Sequence, residues 1–145
     1  MNPMDTTEIA KILLFSGAAS MLFSTFLGFL MLAPMQPWGR QLLKGMNFKQ
    51  IGAAHLDWLM LGLMQGLAGG LVMAFAVAPQ PSAVWAMVIG GWLNPLAYVF
   101  RAFGINAFAF EGGAAQRLAA ALGLGSSVAI TYAWVSILAA CWNGW

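Results

Sequence analysis

Charge, cysteine and histidine are scarce in these 145 residues. Six Lys and Arg stand against four Asp and Glu, with a single Cys and a single His. Charged residues make up 7% and hydrophobic residues 61% of the chain, and its mean hydropathy is +0.81. That balance excludes a soluble globule and describes an integral membrane protein. The pI near 9.0 rests on few charges. With no basic tract or aromatic-interleaved patch, no nucleic-acid partner is expected. Cys141 stands alone inside the last apolar run, which excludes an intrachain disulfide and a four-cysteine metal site. It is predicted to be a core or lipid-facing residue. The first 11 residues are polar, with Asp5 and Glu8, and lack the basic opening of a cleaved signal peptide.

What remains is four long apolar runs. Span one is predicted over residues 9–31, after the capping candidates Thr6 and Thr7, and Pro34 and Pro37 end it. Span two is predicted over 53–78, span three over 83–103 and span four over 115–141. Each reaches the roughly 20 residues needed to cross about 30 Å of hydrocarbon. The fold class is an all-α membrane protein, a four-transmembrane-helix bundle forming a single domain over residues 1–145. Pro95 is expected to kink span three. Arg40, Lys44 and Lys49 follow span one, and Arg101 and Arg117 flank the link after span three, whereas Lys11 stands on the other side. The positive-inside rule then puts loops 34–53 and 104–114 in the cytoplasm and both termini outside.

Small residues offer close-packing surfaces at Gly17 and Gly28, from Gly62 to Gly70, and at Gly123 and Gly125. Gly62-x-x-x-Gly66 is a helix-packing spacing, within the bundle or between copies. Trp38, Trp58, Trp92, Trp142 and Trp145 lie near predicted boundaries, as interfacial anchors do. Met60, Met64 and Met73 are expected to fill irregular space.

Polar side chains collect at one depth. His55 opens span two, with Asp57 two residues on and Gln65 deeper. Asn94, Tyr98 and Arg101 follow at helical intervals near the end of span three. His55 and Asp57 point to different sides of one helix, so Asp57 is expected to pair with Arg101 or a neighbouring helix. A bland account gives His55 an interfacial hydrogen bond, Tyr98 a place in the aromatic belt, and Asn94 and Gln65 packing bonds. A functional account makes the cluster a site, since polar groups inside a membrane are costly to keep. One histidine is too few for structural zinc. It suffices as an axial ligand of haem, whose porphyrin supplies the other donors, with Arg101, Arg40 or Lys44 near the propionates. A polar transport route and a structural membrane subunit remain as other classes.

Three stretches resemble the styrene oxide isomerase family of small four-helix membrane proteins. They are Ala54-His55, Gly91-Trp92-x-Asn94-x-x-x-Tyr98, and the region 100–108 with Asn106. The resemblance implies a homotrimer in a bacterial inner membrane, with haem b near the subunit interfaces. It makes His55 the axial, metal-ligating and cofactor-binding residue and Tyr98 the active-site tyrosine. Asn94 falls at a motif position with a structural or pocket role. The implied activity is redox-neutral conversion of an aryl epoxide to an aryl aldehyde, with ferric iron as Lewis acid. Trp58, Trp92 and Phe103 become candidate apolar walls. The chain departs from the family in carrying Leu61 where an asparagine stands six residues after the axial histidine. Gln65, one turn on, is the substitute amide. His55-Leu56-Asp57 also resembles the hydroxylaminobenzene mutases, likewise small four-span proteins. That likeness implies rearrangement of an aryl hydroxylamine to an aminophenol. Both likenesses imply a small aromatic, oxygen-bearing substrate.

Overall fold

The computed structural model describes residues 4–144; of the expected anchors, Trp145 lies outside them. The chain forms α1 (Thr6–Leu30), a 3-10 turn (Ala33–Met35), α2 (Pro37–Leu42), α3 (Phe48–Ala74), α4 (Pro81–Leu93), α5 (Leu96–Ala102) and α6 (Ala114–Asn143). Four helical stretches are long and apolar enough to cross a membrane: Thr6–Met35, Phe48–Ala74, Pro81–Ala102 and Ala114–Asn143. The all-α, four-span reading therefore stands.

The ends of the helices follow local chemistry that hydropathy does not report. Asp5, not Thr6 or Thr7, caps α1, its Oδ1 accepting the Glu8 N–H at 2.7 Å. Asn47 caps α3 by accepting the Lys49 N–H at 3.1 Å. The helix therefore begins at Phe48, five residues before the predicted boundary. His55 consequently sits two turns inside α3, about 10 Å from its start, and not at its threshold. The other end of α3 closes at Ala76, a non-glycine residue at φ 51°. The Val77 N–H reaches back to the Val72 carbonyl there, at 3.2 Å. Pro95, expected to kink span three, interrupts it. It has no N–H to offer α4, so the helix stops at Leu93 and restarts as α5.

Within the bundle α1 lies along α3, α4 lies along α6, and α5 bridges α3 and α6. Ser16, Ser20 and Ser24 recur every fourth residue on the buried face of α1. Ser20 donates to the Trp58 carbonyl at 2.8 Å and Ser24 to the His55 carbonyl at 2.7 Å. Ser16 accepts from the Trp92 indole at 3.1 Å. Two tryptophans expected at the boundary turn inward instead: Trp92 is half-buried, its indole held by Ser16, and Trp58 is buried by packing, its indole N–H having no partner among the described residues. Trp58 is buried and meets Phe23 edge-on at 4.7 Å. Trp38 and Trp142 stay 61% and 82% exposed, as anchors would. Of the three methionines expected to fill space, Met64 packs on the core, while Met60 and Met73 face outward. Cys141 belongs to the buried core. The outer surface is apolar, with Phe15, Leu22, Phe26 and Phe29 exposed along α1, the inverse of a soluble bundle.

Candidate functional site

The imidazole of His55 is held from α1. Its Nδ1 lies 2.7 Å from the Ser24 carbonyl and 2.9 Å from the Ser24 hydroxyl. The Ser24 hydroxyl gives its one hydrogen to the His55 carbonyl, so toward Nδ1 it can only accept. A backbone carbonyl also only accepts. Both neighbours of Nδ1 therefore require it to carry the proton, and in the neutral ring Nε2 keeps a free lone pair. A backbone carbonyl on the remote nitrogen is the usual way a metal-ligating histidine is oriented.

The ring opens on a cavity of about 360 Å³ whose walls are Thr25, Gly28, Phe29, Leu32 and Leu59. Gly28 matters here because a Cβ at that position would lie 3.3 Å from the ring Cε1, so only glycine leaves that side of the imidazole uncovered. Among the described residues no group of three His, Cys, Asp or Glu side chains could hold a bare metal ion. His55 can contribute one bond to a metal whose other donors come with it. Haem fits that description, and the apolar walls suit a macrocycle.

A second cavity, of about 390 Å³, shares no lining residue with the first. Asn94, Tyr98 and Ser127 give it a polar side, and Phe108, Phe110 and Leu124 give it apolar walls. Tyr98 and Phe108 rings meet at 5.5 Å. Asn94 occupies the break between α4 and α5 and is held there from two helices, α3 and α6. Its Nδ2 donates to Asp57 at 3.0 Å, and its Oδ1 lies 3.0 Å from the hydroxyls of both Ser126 and Ser127, one of which can donate to it while the other donates to the Gly123 carbonyl that both also reach. Asp57 thus takes its partner from a neighbouring helix, one of the two expected pairings. The amide oxygen of Asn94 is occupied, so the group it can present to a ligand is its second Nδ2 hydrogen.

The six candidate residues therefore do not form one site within the chain. Asn94 and Tyr98 share a cavity, with Asp57 bonded to Asn94. His55 lines another. Arg101 lines a third, with Asn47 and Gln50, its guanidinium 5.2 Å from the centre of the Phe108 ring. Gln65, expected to replace the missing amide, is fully buried and lines neither of the first two cavities. It packs against Gly17 and Gly91, where a Cβ on Gly91 would collide with its amide. Leu61 is a core residue. Trp58, Trp92 and Phe103, expected as walls, line neither the His55 nor the Tyr98 cavity. Residues not singled out from sequence are Ser24, Ser126 and Ser127, while Gly28 was expected only as a packing glycine. The four-residue register of Ser16, Ser20 and Ser24 was a signal available for the first of them. Compared with protein-family models, curated proteins and solved structures, the chain gives no match.

Proposed function

We propose that this protein is a haem-binding membrane isomerase that converts aryl epoxides to aryl aldehydes without net redox change. The observation that carries the proposal is the contact of His55 Nδ1 with the Ser24 carbonyl and hydroxyl, which assigns the ring proton to Nδ1 and leaves Nε2 as the nitrogen free to ligate beside an apolar cavity. His55 would hold the haem iron through Nε2. When bound, the haem supplies a Lewis acid that polarises a substrate oxygen. Tyr98 donates its hydroxyl hydrogen to that oxygen and Asn94 directs its remaining N–H to it, while Phe108, Phe110 and Leu124 enclose the aromatic ring. Asp57, Ser126 and Ser127 hold the Asn94 amide in one orientation.

Because His55 and Tyr98 line different cavities, the reading places the reacting centre where the His55 cavity of one copy meets the Tyr98 cavity of the next. That is the arrangement a homotrimer would provide. The basic end, with Arg40, Lys44, Lys49, Arg101 and Arg117, faces the cytoplasm of a bacterial inner membrane in this reading. A second substrate, an aryl hydroxylamine, is supported by the likeness of His55-Leu56-Asp57 to the hydroxylaminobenzene mutases.

Detergent-purified protein supplied with haem is expected to show a Soret band and to release aryl aldehyde from an aryl epoxide. Aminophenol from an aryl hydroxylamine would select the second substrate, and failure to take up haem would end both readings. Tyr98→Phe is expected to keep its haem and turn over about a hundredfold more slowly, the scale of one lost transition-state donor. Co-assembled with His55→Ala chains, it should regain part of that rate, since some interfaces then pair an intact His55 with an intact Tyr98. Unchanged turnover in Tyr98→Phe removes the tyrosine from the chemistry, and no regain in mixed assemblies removes the shared site.

A further inference from the structure

The structure assigns an anion site to the loop cavity of Arg101, independent of the proposed function: it takes a phosphate group, carried by an anionic phospholipid or free in solution. This cavity, of about 290 Å³, lies where the start of α3 meets the end of α5. Asn47, Gln50, Arg101 and Asn106 line it, together with Gly104 and Ile105. The junction is built, since the Asn47 N–H donates to the Ala102 carbonyl at 3.0 Å and ties the two chain segments together.

Its hydrogen-bonding character is biased toward donors. The Asn47 Oδ1 accepts the Lys49 N–H at 3.1 Å and the Asn106 Oδ1 accepts the Phe108 N–H at 3.3 Å. Both asparagines have committed their carbonyl oxygens to the backbone, so what they offer a ligand is the amide N–H₂. Arg101 adds a guanidinium, which has donors only and matches a phosphate two bonds at a time. Among the described residues no acidic side chain lines the cavity. Glu111 is on the loop beyond it, and Arg40, Lys44, Lys49 and Arg117 stand at the same end of the bundle. A basic, donor-lined pocket between the ends of apolar helices is the setting in which anionic lipid head groups are held.

The test compares the wild type with Arg101→Gln, Asn106→Asp and Arg117→Gln in neutral detergent at physiological ionic strength. Thermal midpoints are read on titrating phosphatidylglycerol, phosphatidylcholine or inorganic phosphate. Asn106→Asp keeps an acceptor for the Phe108 N–H and replaces the donor facing the ligand with a charge that repels it. Arg117 is exposed on α6 and outside the cavity, so it reports general surface charge. Phosphatidylglycerol is expected to raise the midpoint of the wild type and of Arg117→Gln, with phosphatidylcholine inactive. Its apparent affinity should fall about tenfold or more in Arg101→Gln and Asn106→Asp. An equal rise with inorganic phosphate would identify the free anion as the ligand. The site is overturned if neither phosphate source shifts the wild type, or if the shift persists in both cavity variants. It is also overturned if Arg117→Gln loses as much as they do. Should Arg101→Gln fail to fold, Asn106→Asp alone decides.

Discussion

His55→Ala is expected to abolish the Soret absorption of haem-supplied protein while leaving the helices folded. The chain has one histidine, so no second imidazole can take over the iron. The substitution removes the ring but not the backbone carbonyl that accepts from Ser24 at 2.7 Å, so α1 and α3 stay joined at that turn. What it leaves behind is the Ser24 carbonyl without the Nδ1–H donor. Because Ser24 lies inside α1 and its carbonyl stays in the helix's own ladder, the loss is that of one hydrogen bond, about 0.5–1.5 kcal/mol, enough to lower the thermal midpoint and not enough to unfold a four-span bundle. Absorption spectra and haem stoichiometry, with circular dichroism on the same samples, separate lost ligation from lost fold. A variant with wild-type haem content and an unshifted Soret band would show that iron is held elsewhere, and the isomerase reading would fail with it.

Four spans were legible because twenty apolar residues in succession have few other destinations. Their ends were not, because caps are single hydrogen bonds made by polar residues. Phe48, Lys49 and Gln50 look like a link, yet Asn47 starts a helix through them and carries His55 two turns deeper than hydropathy suggests. The pairing of Asn94 with Tyr98 was legible from their spacing of four, and the structure puts both in one cavity. Arg101, on the same predicted stripe and on α5 with Tyr98, opens instead on the loop cavity with Asn47 and Gln50, because it stands at the end of α5, where the Ala102 carbonyl meets the Asn47 N–H at the start of α3. The bond between Asp57 and Asn94 joins residues 37 positions apart. Sequence could supply the need for a partner but not its identity. The serine register of α1 was written in the chain, but three hydroxyls lower the hydropathy of a span without marking a face unless their spacing is counted.

Gly17→Val is expected to give the largest loss of stability of any single substitution considered, and Gly66→Val to be nearly silent. The spacing Gly62-x-x-x-Gly66 treats its two glycines as equivalent, but the packing does not. A Cβ on Gly17 would stand 2.6 Å from the Gly62 carbonyl oxygen and 3.0 Å from the Gly66 nitrogen, and a Cβ on Gly62 would stand 2.8 Å from the Gly17 oxygen. These are backbone atoms inside helices and cannot rotate away. A Cβ on Gly66 meets nothing within 4 Å. Overpacking of ordinary cores costs about 1–3 kcal/mol, and here the alternative to strain is separation of α1 from α3. Separation would weaken the bonds from Ser20 to the Trp58 carbonyl and from Ser24 to the His55 carbonyl, one and two turns along. The effect therefore reaches the proposed site. With α1 displaced, the Ser24 carbonyl no longer fixes the proton on Nδ1, and Nε2 is no longer kept as the acceptor. Thermal unfolding in detergent should place Gly17→Val well below Gly66→Val, and haem affinity should fall in the same order. Equal midpoints would mean that the helices are not in backbone contact at Gly17, and the account of how His55 is held would then lose its structural basis.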